Sequence, residues 1–121
     1  MRPVIFPHLT TVPVVQINRR RTDPLPDIVV FHSQQCAEKY LKAFLIDQNE
    51  SPEKTHSLAK LLDECAAKEP SLASLRAGLA FLDKFSVDPR YPGFNASVED
   101  ASEAVATVRA VRKTVRKLLK V

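Results

Sequence analysis

The sequence predicts an all-α fold, an antiparallel up-and-down helical bundle with an irregular proline-rich N-terminal arm. Three observations predict it. Only two glycines occur in 121 residues, and five of the nine prolines fall before residue 27. From there on, apolar residues recur at steps of three and four, which keeps them on one side of a 3.6-period helix. Proline and glycine then punctuate the periodic stretches at Pro52, Pro70 and Pro89–Gly93, which leaves room for four helices joined by short connections.

The arm, residues 1–24, carries Pro3, Pro7, Pro13 and Pro24, too closely spaced for a continuous helix. Val4–Phe6 and Val12–Ile17 read as short extended pieces. Arg19-Arg20-Arg21 is a compact basic cluster, either a solvated loop or a phosphate contact. Residues 25–121 form the helical domain. Its first helix starts near Asp23–Asp27, with Asp23 as a cap and Pro24 in the first turn, and runs to about Asn49.

Within that helix, FHSQQCAEKYLKAFL (Phe31–Leu45) sets the apolar residues Val30, Ala37, Leu41 and Phe44 beside the polar residues His32, Gln34, Gln35, Glu38, Lys39 and Lys42. Glu38 and Lys42 are placed for an i,i+4 ion pair. A second helix is expected from a Thr55 cap to Lys68, with Leu58, Leu61, Leu62 and Cys65 as its stripe. A third, capped by Ser71, carries Leu72, Leu75, Leu79 and Leu82 and fades between Lys84 and Val87.

Asp88–Asn95, DPRYPGFN, reads as a rigid loop that holds Arg90 and Tyr91 between two prolines. The last helix opens with a Ser97/Asp100 capping box and the acids Glu99 and Glu103, and closes on basic residues, which suits the helix dipole. Ala101, Ala104, Val108, Val111, Val115 and Leu118 form its core seam. Arg109, Lys113, Arg116 and Lys120 share a second, basic face, either solvated or able to meet phosphates.

Composition sets limits on function. Hydrophobic content of 45% with 26% charged residues is that of a soluble globular domain, and a net charge of +4 permits an acidic partner without requiring one. No apolar run is long enough to span a membrane, and no signal-peptide core opens the chain, so a cytoplasmic protein is expected. Cys36 and Cys65 form no CxxC pair and read as reduced core thiols. A His32–His56 pair without Asp or Cys ligands nearby does not make a metal site, and neither a metal nor a cofactor is expected.

FHSQQCAEKYLKAFL, then KTHSLAKLL (Lys54–Leu62), then DPRYP (Asp88–Pro92), then an amphipathic Ala-spaced helix, together resemble the HEPN family over roughly residues 25–120. That resemblance implies a helical bundle, a homodimer, and a role beside a minimal nucleotidyltransferase, as in toxin–antitoxin pairs. It also implies a nucleotide- or RNA-binding site drawn from Gln35, Glu38, Lys39, His56, Arg90 and Tyr91. Lys39 and Arg90 would hold phosphate, Tyr91 would stack on a base, and His56 would hydrogen-bond or move a proton. The structural alternatives are a Thr55-His56 cap, inter-helix ion pairs at Glu38 and Lys39, and a corner fixed by Arg90-Tyr91.

Catalytic members place a His four to six residues after an Arg near the start of the final helix region. Here Asn95, Ala96 and Ser97 stand where that His would follow Arg90, and no His follows His56. The family's opening amphipathic helix is also missing from the proline-broken arm. The expected function is therefore a binding subunit without catalysis of its own. The alternatives are a metal-independent RNase toxin in which Arg90 works with His56 or His32, and a dimeric interaction module.

Overall fold

A computed structural model describes residues 25–85 and 96–121. Four α-helices and one 3-10 helix make up this part of the chain, with no strand among the described residues. The arm with its Arg19–Arg21 cluster, and the loop carrying Arg90 and Tyr91, lie outside the described residues.

Helix α1 spans Leu25–Asp47 and buries Val30, Ala37, Leu41 and Phe44, the expected stripe, together with Ser33, Cys36, Tyr40 and Leu45. It stops two residues short of expectation because Asn49 turns left-handed (φ 63°). The amides of Asn49 and Glu50 then bond back to the carbonyls of Ile46 and Leu45, a Schellman closure that satisfies carbonyls at the helix end before Pro52 is reached.

Helix α2 spans Leu58–Lys68. Its cap is Ser57 and not the expected Thr55: the Ser57 hydroxyl accepts from the Lys60 amide at 3.3 Å, while the Thr55 hydroxyl accepts from the Ser57 amide at 3.0 Å. Thr55 therefore shapes the turn that presents the cap. The expected stripe of Leu58, Leu61, Leu62 and Cys65 is fully buried.

The third helix divides. A 3-10 segment, Pro70–Leu75, runs directly into α3, Arg76–Asp83. Pro70 takes an early position, where its missing N–H costs nothing, and the three-residue step from Leu72 to Leu75 fits three residues per turn. Ser71 is not a cap; its hydroxyl donates to Glu69. Leu72, Leu75, Leu79 and Leu82 are all buried. Helix α4, Val98–Leu119, opens with the expected reciprocal Ser97/Asp100 capping box and ends on a left-handed Lys120. Its seam is buried at Ala104, Val108, Val111 and Val115, joined by Thr107, and half-buried at Ala101 and Leu118.

The all-α bundle is as expected, and three contacts fix its directions. Asp27 accepts the Ala96 amide at 2.6 Å, so α1 and α4 begin together and run in the same general sense. Gln34 donates to the Leu82 carbonyl at 3.1 Å, which sets the end of α3 against the early part of α1. His56 sits on Glu38 and Lys68 on Glu50, so α2 climbs alongside α1. Up-and-down alternation thus holds along α2, α3 and α4. Between α1 and α2, residues 48–57 double back, which at about 3.3 Å per residue they have ample length to do.

Gln34 is the one member of the expected polar set that is buried, and its amide reaches a main-chain carbonyl. The close approach of α3 to α4 depends on Gly78, where an added Cβ would meet Thr107 Cγ2 at 2.8 Å and Oγ1 at 2.9 Å. Thr107 is buried and β-branched, so it has little freedom to yield. Gly78→Ala is expected to lower stability by about 1–2 kcal/mol: overpacking of roughly 1–3 kcal/mol is only partly offset by alanine's better helix propensity. Adding Thr107→Ala should recover most of the loss in a denaturant titration. A Gly78→Ala protein as stable as the parent would show that the helices have room to part.

Candidate functional site

The site forms where the middle of α1 meets the turn before α2. Glu38 lies on the α2 side of α1, with its side chain only 12% exposed. One turn later Lys42 donates to it at 2.9 Å, which is the expected i,i+4 pair. From the other side, His56 Nδ1 stands 3.1 Å and 3.2 Å from the two Glu38 carboxylate oxygens. Burial pushes the Glu38 carboxyl up, but the Lys42 and His56 hydrogen bonds together outweigh it and hold the carboxyl below its ordinary value. Glu38 is therefore an anion near neutral pH, and Nδ1 must carry the proton that it receives. In neutral His56 this leaves an Nε2 lone pair on a ring that is 84% exposed.

The turn that presents His56 is fixed from a third element. The Asp83 carboxylate at the end of α3 accepts the Leu58 amide at 2.9 Å and the Ala59 amide at 3.0 Å. A helix N-terminus offers unpaired N–H donors and partial positive charge, and a carboxylate satisfies both. Together with Ser57 and Thr55, this clamp sets where His56 leaves the turn. Sequence reasoning missed Asp83. It lies 25 residues from its partner and carries no local signal.

Of the other expected site residues, Lys39 is exposed and Gln35 half-buried on α1. Glu38 and His56 make the inter-helix pair, whereas Lys39 is directed to solvent. His32 stacks edge-on with the exposed Phe31, their rings 5.4 Å apart. Arg90 and Tyr91 lie outside the described residues. On α4, Arg109, Lys113 and Lys120 are exposed and Arg116 is half-buried. Arg109 borders a groove of about 400 Å³ between the starts of α1 and α4. That groove was not foreseen either. Among the described residues, no three His, Cys, Asp or Glu side chains are grouped to hold a metal, and no helix is long and apolar enough to cross a membrane.

Chemically, the cluster offers a fixed anion, an anchored imidazole with a free ring nitrogen, and ammonium groups one turn apart. Such a set can hydrogen-bond a base or ribose and attract phosphate. In comparisons with known proteins, the family model described as HEPN domain matches residues 18–118. No curated protein and no solved structure matches.

Proposed function

The chain belongs to the HEPN family, and from that premise we propose that it is a nucleotide- or RNA-binding subunit that works beside a nucleotidyltransferase, as half of a toxin–antitoxin pair, without turnover of its own. The observation that carries this reading is the α1–α2 polar face. His56 is held by Glu38 through one nitrogen and faces solvent with the rest of its ring, with the Lys39 and Lys42 cations on the same helix as Glu38. A preset polar face of this kind suits a loosely held single strand or nucleotide. Arg90 and Tyr91 would add a phosphate contact and a stacking surface from the following loop. No His follows Arg90 to complete the family's cleavage pair.

One observation favours a second reading, an RNase toxin. A carboxylate that orients Nδ1 leaves Nε2 poised as a general acid or base, so His56 could take the role of the missing downstream His, with Arg90 stabilising charge on the phosphate. One experiment separates the two readings. Purified protein is incubated with RNA over a salt series, and both RNA integrity and retention are measured. Intact RNA, bound more weakly as salt rises and about tenfold more weakly by a Lys39→Ala, His56→Ala double variant, supports the binding subunit. RNA cleaved by the parent and left whole by an Arg90→Ala, His56→Ala variant makes the chain an RNase.

A further inference from the structure

The groove at the start of the bundle is apolar along most of its length. Leu25, Pro26 and Val29 of α1 form one wall, and Val98, Ala101 and Val105 of α4 lie opposite; Val98 is 66% exposed. Two features of the chain bear on what covers it. Leu25 and Pro26, the first described residues, themselves line the groove, so residues 1–24 are tethered at its mouth. The acidic residues Glu99 and Glu103 stand exposed on α4 beside the lining residues Ser102 and Ala106, while the tether carries Arg19, Arg20 and Arg21.

We propose that Val12–Ile17 of the same chain docks in this groove, with Arg19–Arg21 meeting the acidic rim at Glu99 and Glu103. The reach is sufficient. Residues 18–24 can span up to roughly 23 Å, and the groove wall from Val98 to Arg109 is about 17 Å long at helical rise. A tether this short gives an effective concentration in about the millimolar range, so a modest apolar contact suffices to keep the segment seated. The family match begins at residue 18, so the docking segment belongs to the part of the chain outside the matched domain. This inference is independent of the nucleic-acid reading.

Limited trypsin digestion of the full-length protein tests it, with cleavage after Arg19–Arg21 followed by mass. A docked arm makes this site slow to cut, because cleavage tracks the population of the open form. Val15→Asp puts a charge in the proposed docking segment and should speed the cut by about tenfold or more while leaving the helical melting curve unchanged. Ala106→Lys, at an exposed groove position, should do the same from the other side, as should Glu99→Lys with Glu103→Lys. Equal cleavage of the parent and all three variants overturns the proposal. So does protection that vanishes on dilution, which would make a second copy of the chain the occupant.

Discussion

Replacing Asp83 with Ala is expected to lower the stability of the domain by about 2–3 kcal/mol. The carboxylate accepts two main-chain amides at the start of α2. A lost N-terminal cap costs about 1 kcal/mol, hydrogen bonds to a charged group are roughly twice as strong as neutral ones, and the unpaired amides lose a favourable dipole partner as well. In a domain of this size the melting temperature should fall by about 10 °C. Asp83→Asn keeps one good acceptor and should show about half the loss. The effect should extend to the site, because the clamped turn carries His56: in the Ala variant the His56 ring resonances should lose their dependence on Glu38. An Ala variant that melts within a degree or two of the parent would mean that Ser57 alone caps α2.

The second large effect is in alkaline solution. Burial pushes the Cys36 thiol up to about 11, against a smaller downward pull from Lys39, and burial pushes Cys65 up to about 12. Both are raised above the ordinary value of 9.0. Below pH 9 the thiolate fraction of Cys36 is therefore about 100-fold lower than in an unfolded chain, and labelling by a thiol reagent at neutral pH should await unfolding.

The linkage to stability has a definite sign. The unfolded chain releases these protons first, so from about pH 9 upward it binds fewer protons than the native state, and stability falls as pH rises toward 11 to 12. Cys36→Ser with Cys65→Ala should flatten that alkaline decline. A parent that labels as fast as free cysteine at pH 7.5 would show that the thiols are accessible.

The sequence spoke clearly wherever an interaction is local. The Ser97/Asp100 box is a three-residue pattern, Glu38–Lys42 a four-residue one, and the leucine stripes need only helical period; all appear in the structure. It was silent or misleading where tertiary contacts decide. Gln34 reads as one of the solvent-facing polar residues of its helix because nothing nearby in the chain announces the Leu82 carbonyl 48 residues away. Thr55 looked like the cap because either hydroxyl could serve, and the choice fell to Ser57 once Asp83 had fixed the first turn of α2. Of the expected site, Glu38 and His56 meet, but Arg109 faces a groove whose walls come from opposite ends of the chain.

That arrangement has a consequence for how the molecule is made. The α1–α4 interface joins the first described helix to the last, with Asp27 and Ala96 paired across 69 residues. While the chain is still on the ribosome, α2, the 3-10 turn and α3 can already pack locally, since their contacts close short loops. The apolar flank of α1 stays open until α4 has emerged, so a product truncated before Val111 presents that flank to other chains. Completion of the core, and with it resistance to aggregation, waits until α4 has been synthesised.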